Sequence, residues 1–362
     1  MKKLIFFANN LKIGGIETSI VNLLNYIDYN KYDVTLVLEE KEGVLLNDIN
    51  SNVHIKEYKL SKSSIVLLRK MFNFIKRFVW TVFNRNKYDF SCCYATYSLM
   101  GAKLAKLASK NSSIYIHGDY TKIYKDSKEL INFFASRKIN GFRTVFFVSN
   151  ESKDNLIKYY PSIKDKSVVI NNFINYKKII DLANENVELS KNHDILFVFV
   201  GRLEEKSKKV SRLLQLINIL KNDYSIELWI IGDGQDRNSY KTYIDNNKLN
   251  DNIKILGSKK NPYPYMKQAD YIILTSDYEG FPVIYLESIV LNKKIITTID
   301  VSDESIIINN NYGYIISKDI NLMKNEVEDI LKHDSLVYKQ INFDELSKDK
   351  MKKLEKIFDE VK

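Results

Sequence analysis

Short apolar runs, each the length of one β-strand, alternate with helical patterns along this chain from end to end. In the first half the runs lie at residues 4–8, 34–38, 90–94, 113–117 and 144–149. Apolar residues at helical spacing follow the first run, at residues 17–26. Because β-α-β units place successive strands side by side and parallel, the alternation predicts an α/β fold with a parallel sheet.

The alternation restarts after a polar stretch near residues 171–190. The second series has strand-like runs at residues 195–200, 226–231, 253–256, 271–274 and 294–298, with helical patterns at residues 210–220 and 345–361. A chain of 362 residues is also too long for one ordinary hydrophobic core. We therefore predict two doubly wound, Rossmann-like domains at residues 1–172 and 173–340, and a C-terminal helix within residues 341–362.

The positive charge of the chain is confined to its first half. Residues 1–180 contain 29 Lys and Arg against 15 Asp and Glu, whereas the remaining residues contain 26 against 30. Residues 62–87 alone carry seven basic residues and no acidic one, interleaved with large apolar side chains. A helix of this composition suits an anionic membrane surface or an acidic acceptor; a half-buried helix with a solvated basic face is the equal alternative. Nucleic acid is not expected as a partner, because the basic residues belong to no recognisable nucleic-acid module.

Two features of the sequence indicate the cellular compartment of the protein. Cys92 and Cys93 are the only cysteines, and adjacent cysteines rarely bridge, which indicates a reducing environment. No stretch approaches the roughly 18 uninterrupted apolar residues of a membrane-spanning helix, and the N-terminal apolar run is too short for the core of a signal peptide. We expect a cytoplasmic protein, with peripheral association at the inner face of the cell membrane left open.

Candidate site residues are those that directly follow strands, because ligands of open α/β sheets bind at the carboxyl ends of the strands. Gly201 and Arg202 follow the run at residues 195–200, with Lys206 and Lys208 close behind. A fixed guanidinium and an ammonium group could clamp a diphosphate here, since both neutralise phosphate charge and Arg can do so bidentately.

Glycines follow the next two strands of the second half. Gly232 and Gly234 come after residues 226–231, and Gly257 comes after residues 253–256. Glycine lets a backbone turn tightly or approach a ligand closely. Each of these signals is weak alone.

The strongest segment is Ser-Asp-Tyr-Glu-Gly-Phe-Pro-Val at residues 276–283, which follows the strand-like run at residues 271–274. Pro282 suits the first turn of a helix, whose free N–H groups favour phosphate or sugar oxygens. Glu279 lies in the loop, and Glu287 lies eight positions further on, among apolar residues. Carboxylates in these places suit the hydroxyl groups of a sugar or a ribose.

Taken together, the segments resemble glycosyltransferase family 4, a family of retaining enzymes with the GT-B fold of two Rossmann-like domains that face a cleft. Glu279, Gly280, Phe281 and Pro282, with Glu287 as the second acid of an E-x7-E pattern, resemble the family's donor-site signature. Further segments follow the family's order: Gly14-Gly15-Ile16-Glu17, His117-Gly118-Asp119, Val148-Ser149, Gly201-Arg202-Leu203, Gly232-Asp233-Gly234 and Gln268-Ala269-Asp270. The departures are the Lys after Arg202, which falls one position from its usual place, and Asn171-Asn172 at the domain junction.

The resemblance implies a role for each candidate residue. Arg202 and a Lys, Lys208 in preference to Lys206, would bind the donor diphosphate and stabilise the leaving group. The remaining donor contacts would come from Glu279 and the amides of Gly280, Phe281 and Val283 to the transferred sugar, Glu287 to the ribose, Gly257 to the base, and Gly15 to the diphosphate across the cleft. His117 would lie near the reacting face of the sugar, and the C-terminal helix would cross back to pack on the first domain.

The expected activity is retaining transfer of a hexosyl or N-acetylhexosaminyl unit from a nucleoside diphosphate sugar, UDP-linked by preference, to a hydroxyl of a glycan, glycolipid or cell-surface polymer. No metal or other cofactor is expected, since the chain contains no D-x-D motif. Two alternatives stay open: a catalytically inactive GT-B partner that stabilises another glycosyltransferase, and a sugar-nucleotide epimerase. A dinucleotide oxidoreductase would need G-x-G-x-x-G after the first strand, and the sequence does not supply it.

Overall fold

The computed structural model describes residues 1–61, 63–124, 126–300 and 311–360. The chain divides into two compact units, each with its own hydrophobic core. Unit 1 contains Met1–Ile174 and Phe343–Lys362, and unit 2 contains Asn175–Asn342.

Unit 1 is built on a parallel sheet of seven described strands: β1 (Lys2–Ala8), β2 (Tyr32–Leu38), β3 (His54–Glu57), β4 (Phe90–Cys93), β5 (Ser112–Ile116), β6 (Thr144–Phe147) and β7 (Ser167–Val169). The strand order is β3-β2-β1-β4-β5-β6-β7. The central strands β1, β4, β5 and β6 are almost wholly buried, as expected for parallel strands covered on both faces. The sequence patterns predicted five of these strands and missed the short strands β3 and β7, which carry few apolar residues.

Within Met1–Ile174, unit 1 has the α-helices α1 (Gly15–Tyr26), α2 (Val66–Asn84), α3 (Leu99–Ala108), α4 (Tyr120–Ile123), α5 (Ser127–Ser136) and α6 (Asn150–Ile157). Leu104 of α3 and Phe134 of α5 join the core formed with Phe7 and Ile114 of the sheet. The core therefore lies between the sheet and these two helices.

Unit 2 has a parallel sheet of six described strands: β8 (Ile195–Val200), β9 (Ile226–Ile231), β10 (Ile253–Gly257), β11 (Tyr271–Leu274), β12 (Lys294–Thr297) and β13 (Gly313–Ile315). Its helices are α7 (Tyr176–Leu182), α8 (Glu205–Lys208), α9 (Val210–Leu220), α10 (Arg237–Asn246), α11 (Tyr263–Gln268), α12 (Val283–Val290) and α13 (Ile320–His333). The strand order β10-β9-β8-β11-β12-β13 reverses direction between β8 and β11. In a doubly wound sheet this reversal opens the crevice where ligands bind, at the carboxyl ends of those two strands.

The last helix, α14 (Phe343–Asp359), belongs to unit 1 although it follows unit 2 in sequence. Its Phe358 packs against Phe90 and Tyr32, with ring centroids 4.6 and 5.6 Å apart. Asn111 donates a 2.7 Å hydrogen bond to the carbonyl oxygen of Ile357. The helix thus completes one face of the unit 1 sheet.

Helix α2 covers most of the basic stretch at residues 62–87, of which Lys62 lies outside the described residues. None of the helix residues is buried. The half-buried helix considered from the sequence is therefore wrong, because the apolar side chains of α2 face solvent. No helix among the described residues is long and apolar enough to cross a membrane.

Candidate functional site

Arg202, Lys208 and Glu279, three candidate donor-site residues of unit 2, lie where β8 and β11 end. The loop after β8 leads through Arg202 into α8, and the loop after β11 leads through Glu279 into α12. Because β8 and β11 are neighbours and parallel, both loops leave the same edge of the sheet.

Lys208, at the end of α8, forms an ion pair with Glu279, in the loop after β11. The Nζ of Lys208 lies 2.5 Å from Oε1 of Glu279, and Ser276 Oγ donates a 2.6 Å hydrogen bond to the same oxygen. The two ionic side chains are only 21% and 11% exposed. Both bonds go to Oε1, so Oε2 of Glu279 has no hydrogen-bond partner among the described residues. The pair is held in place and keeps one acceptor oxygen available.

Further contacts join α8, which ends at Lys208, and the residues after it to the loop that contains Glu279. The backbone N–H of Asp277 donates a 2.8 Å hydrogen bond to the carbonyl of Ser207. Arg212 holds the same segment through Asp277 Oδ1 at 2.7 Å and the carbonyl of Thr275 at 2.9 Å. Of the two lysines considered from the sequence, the structure brings Lys208 to Glu279, whereas Lys206 is exposed.

Arg202 follows β8 directly, as the sequence indicates. Its side chain is 73% exposed, and its Nη1 lies 3.9 Å from Oε2 of Glu204. Its predicted contact with a donor diphosphate stays a prediction.

Glu287 lies one turn into α12 and is buried. The hydroxyl of Tyr263, at the start of α11, donates a 2.9 Å hydrogen bond to its Oε1. Burial raises the pKa of Glu287 to about 7, and the Tyr263 hydrogen bond offsets only part of that effect. An acid in this state is close to half ionised at neutral pH, so a hydroxyl-bearing ligand can shift its protonation. The role of Tyr263 has no signal in the sequence.

Helix α12 begins at Val283, and Pro282 is its N-cap residue rather than a member of its first turn. Pro282 has an extended backbone, with φ of −63° and ψ of 127°, and no side chain caps the helix. Tyr285 N–H bonds back to the Pro282 carbonyl, and Phe281 is buried just before it. The helix start lies directly after Glu279 and Gly280, as the site prediction requires.

The glycines of the neighbouring loops are constrained in different ways. Gly232 has a φ of +149°, and an added Cβ would lie 1.9 Å from the carbonyl oxygen of Gly201. A Cβ on Gly234 would come 2.3 Å from the carbonyl oxygen of Leu203. These two glycines let the loops after β8 and β9 pack together, which holds the segment of Arg202. Gly257, in contrast, has a φ of +70°, which favours glycine, and an added Cβ would lie at an ordinary contact distance of 3.9 Å from Nη2 of Arg237.

His117 follows β5 in unit 1 and is surrounded by aromatic rings. Its ring stacks on Tyr115 with centroids 4.5 Å apart and planes 12° apart, and Tyr94 lies 4.6 Å away. Burial lowers the pKa of His117 to about 3, although hydrogen bonds with the Tyr94 backbone and the Asn172 side chain partly oppose this. Its Nε2 is shielded from solvent and has no hydrogen-bond partner among the described residues. His117 is thus a neutral imidazole with one nitrogen unused.

The glycine pair before α1 lies at the switch point of the unit 1 sheet, after β1. A Cβ on Gly15 would meet nothing within 4 Å, so protein packing does not require glycine there. A Cβ on Gly14 would come 2.2 Å from Oε2 of Glu17, whose Oε1 accepts a 2.9 Å hydrogen bond from Tyr97. The close atom belongs to the end of a flexible side chain, so a substitution at Gly14 would require Glu17 to move.

Gly15 and His117 belong to unit 1, and the other candidate residues belong to unit 2. Among the described residues, no group of three or more His, Cys, Asp or Glu side chains is placed to hold a metal ion. The expectation that no metal takes part stays a prediction.

Two family models match consecutive parts of the chain. Residues 13–178 match glycosyltransferase family 4, and residues 182–345 match glycosyl transferases group 1. The two matches meet near the boundary between the units.

Curated relatives are similar at low identity. An uncharacterized glycosyltransferase of Methanocaldococcus jannaschii is 22% identical over 72% of this chain, and the capsular polysaccharide biosynthesis glycosyltransferase CapH of Staphylococcus aureus is 28% identical over 51%. A Campylobacter jejuni N-acetylgalactosaminyltransferase, named for an undecaprenol diphosphate-linked acceptor, is 27% identical over 41%. The matches span 65%, 53% and 40% of these relatives' own lengths.

Solved structures are similar over nearly the whole chain. Anabaena HepE in complex with UDP and glucose gives a TM-score of 0.75 at 13% identity, covering 98% of this chain and all of that one. A variant of S. aureus TarM in complex with UDP and a GlcNAc-glycerol gives 0.72 at 12% identity, covering 99% and 100%. These similarities confirm the fold expected from the sequence, with two Rossmann-like units of the GT-B class.

Proposed function

The chain belongs to the glycosyl transferases group 1 of family 4, and on that premise we propose that it transfers a glycosyl unit from a nucleoside diphosphate sugar to a hydroxyl group with retention of configuration. The observation that carries the proposal is the ion pair of Lys208 and Glu279 at the start of α12. It places a cation for phosphate and a carboxylate for sugar hydroxyls on adjacent loops.

On donor binding, Lys208 and Glu279 would each contact a different part of the ligand. The diphosphate carries the stronger negative charge and would pair with Lys208, and the exposed Arg202 would bind it bidentately. Glu279, with Oε2 already unused, would accept hydrogen bonds from the transferred sugar. The amides of Gly280, Phe281 and Val283 lie at the start of α12 and would complete the sugar contacts.

Glu287 would accept hydrogen bonds from the ribose hydroxyls, and Gly257 would leave room for the base. Tyr263 already positions the Glu287 carboxyl through its 2.9 Å hydrogen bond. UDP is the preferred nucleotide in the proposal, because the HepE and TarM structures named above contain UDP. Gly15, whose Cβ position is open, would allow the diphosphate to approach.

Catalysis would rest on charge stabilisation of the departing diphosphate by Arg202 and Lys208, the main electrostatic demand of this reaction. Retention would follow a front-face displacement in which the leaving phosphate accepts the acceptor's proton. His117 would contribute as a neutral hydrogen-bonding group, since its lowered pKa prevents it from carrying charge at neutral pH. No metal ion enters the proposed reaction.

The acceptor in this proposal is a glycan, a glycolipid or a cell-surface polymer, and the enzyme would work in the cytoplasm, peripherally at the inner face of the membrane. CapH and the C. jejuni relative are named for capsular polysaccharide and lipid-linked glycan synthesis. The basic, exposed helix α2 supports the membrane location.

Donor binding and turnover test the proposal together. We expect UDP and UDP-sugars to raise the melting temperature by mass action, and ADP or GDP to raise it less. Slow hydrolysis of the preferred UDP-sugar should be lost in Arg202→Ala and Glu279→Ala while both variants stay folded. Donor binding without any hydrolysis or transfer would favour the inactive-partner alternative, and absence of any nucleotide effect would overturn the site assignment.

A further inference from the structure

Helix α2 turns its apolar side away from the protein. Successive residues of an α-helix are rotated by about 100°, so ten large apolar side chains fall on one half of its circumference. All ten are exposed: Leu67, Leu68, Met71, Phe72, Phe74, Ile75, Phe78, Val79, Val82 and Phe83. The opposite side carries Asn73, Trp80, Thr81 and Asn84, which are the only residues of the helix with partial burial.

Contacts on the polar side hold the helix in this orientation. Asn73 Oδ1 accepts a 2.8 Å hydrogen bond from the backbone of Ser61, and Lys76 Nζ donates a 2.7 Å bond to the Lys59 carbonyl. The Trp80 ring packs edge-on against Phe7 and Tyr58, with centroids 6.0 and 6.3 Å away. The outward apolar face is therefore set by several specific contacts with unit 1.

The basic residues of α2 flank the apolar half on both sides. By helical geometry Arg69 and Lys76 lie beyond one boundary, and Lys70 and Arg77 lie beyond the other. The helix contains no Asp or Glu. The Nζ of Lys76 is held by the Lys59 carbonyl. The long side chains of Arg69, Lys70 and Arg77 can reach lipid phosphates while the apolar half enters the acyl boundary.

We propose that α2 docks unit 1 on an anionic lipid bilayer, lying in the membrane plane with its apolar half inserted. An anionic lipid surface fits both the charge and the apolar half, whereas a second copy of the helix would bring two sets of basic residues together without an acid. The docking itself does not depend on the proposed function. Its consequence does rest on that function: a transferase docked in this way takes its hydroxyl acceptor from the membrane surface.

Sedimentation with vesicles tests the docking directly. The intact chain should bind vesicles of phosphatidylcholine with 40% phosphatidylglycerol, and pure phosphatidylcholine much more weakly. Arg69→Gln with Lys70→Gln should weaken binding about thirtyfold, since each basic residue near an anionic leaflet is worth roughly fivefold in affinity. Lys353→Gln with Lys356→Gln, which removes equal charge from exposed positions on α14, should have little effect.

The apolar contribution has its own matched pair of variants. Phe74→Glu with Phe78→Glu should reduce vesicle binding more than about a hundredfold, because two exposed aromatic side chains that would insert into the bilayer are lost. Leu322→Glu with Val337→Glu replaces exposed apolar residues of unit 2 and should leave binding unchanged. Equal losses in both pairs, or binding that ignores lipid charge, would overturn the proposal.

Insertion depth distinguishes docking in the bilayer from loose adsorption. Brominated lipids should quench the fluorescence of Phe78→Trp strongly, and quench the native Trp80 on the protein side weakly. Self-association of the chain without vesicle binding, measured by sedimentation velocity, would instead assign α2 to a contact between copies. The UDP-induced melting shift should be equal in all α2 variants, so a failure of the donor-site proposal appears separately from a failure of the docking proposal.

Discussion

Lys208 and Glu279 form an ion pair that compensates both charges at the candidate site. The two side chains neutralise each other in a position of low exposure, and Ser276 fixes the carboxylate. An isolated ion in such a place would lose hydration without compensation. A donor that supplies a diphosphate for Lys208 and hydroxyl groups for Glu279 replaces both partners at once.

Arg202→Ala should separate activity from stability. The side chain is 73% exposed, so we expect a change below about 0.5 kcal/mol in the free energy of unfolding. If Arg202 stabilises the leaving diphosphate, kcat/KM should fall roughly 10²- to 10³-fold. Urea unfolding and initial-rate kinetics measure the two quantities.

Arg143→Ala is the matched control for that variant, because Arg143 is also half exposed and pairs with Glu360 in unit 1. Its kcat/KM should stay within about twofold of the unmodified chain. A similar loss of activity in both variants would mean that Arg202 has no special role.

Glu287→Gln should stabilise the protein while weakening donor binding. Below pH 4.5 the carboxyl is protonated in both folded and unfolded chains; between 4.5 and about 7 only the unfolded chain releases the proton, so stability falls as pH rises. At pH 8 the Gln variant should therefore be more stable by up to about 3 kcal/mol, with no difference near pH 4. Urea unfolding at both pH values measures this.

The same variant should bind UDP about 10- to 100-fold more weakly at pH 8, because the ribose hydroxyls lose a charged acceptor. The affinity of the unmodified chain should rise with pH through 7, since binding favours the ionised carboxylate. Gln keeps an acceptor for Tyr263, so the packing around it is conserved. A variant that binds UDP normally would show that Glu287 serves the fold alone.

At the residue scale, the sequence predicted the positions of side chains that follow a strand. Arg202 and Glu279 follow β8 and β11, at the carboxyl edge of the sheet where ligands of such folds bind. Their roles in donor binding stay predictions. Tyr263 was missed, since it lies 24 positions from Glu287 and only the fold brings their oxygens together. The high exposure of the Arg202 side chain could not be predicted either, because it depends on how the surrounding loops pack.

At the scale of elements, the strands were the most predictable part. The runs at residues 195–200, 226–231 and 271–274 match β8, β9 and β11 to the residue, because buried parallel strands are continuously apolar. The short strand β13 was missed, because its three residues carry no such pattern. The direction of the apolar face of α2 was also beyond sequence reasoning, since amphipathic spacing identifies a face but not what it meets.

Asp334 anchors the end of α13 to three strands of unit 2. It is the C-cap residue of α13 and accepts hydrogen bonds from Tyr271, Lys294 and Tyr314. Burial by itself would raise its pKa, but these hydrogen bonds outweigh burial and lower the pKa to about 2. The stabilisation is therefore complete above the unfolded value of 3.8 and is lost as pH falls through 2.

Asp334→Asn should cost about 2 kcal/mol in the free energy of unfolding at pH 7, with a smaller difference at pH 3. Denaturant unfolding followed by circular dichroism measures both values. Asp329→Asn, on the exposed face of the same helix, is the control and should change stability little. Equal effects of the two substitutions would contradict the anchoring role.

At the scale of the whole molecule, the chain enters unit 2 at Asn175 and returns to unit 1 at Phe343. The final helix packs on β1, β2 and β4, which lie more than two hundred residues earlier in sequence. Phe358 is 1% exposed and contacts aromatic rings of Phe90, Tyr32 and Phe6. Helix α14 thus packs directly on the first strand through Phe358 and Phe6.

Phe358→Ala should therefore loosen unit 1 selectively. Removing a fully buried Phe leaves a cavity and costs about 3–5 kcal/mol. Hydrogen exchange of the β1 amides, which needs unit 1 to open, should accelerate by at least about a hundredfold. The β9 amides report on the core of unit 2, which Phe358 does not join, and should exchange at their original rate. Leu322→Ala, at an exposed position, should change the exchange rates of neither set of amides. Equal acceleration of exchange in β9 and β1 would mean that the two units open as one cooperative body. An unchanged exchange rate in β1 would mean that α14 adds nothing to the stability of the sheet it covers.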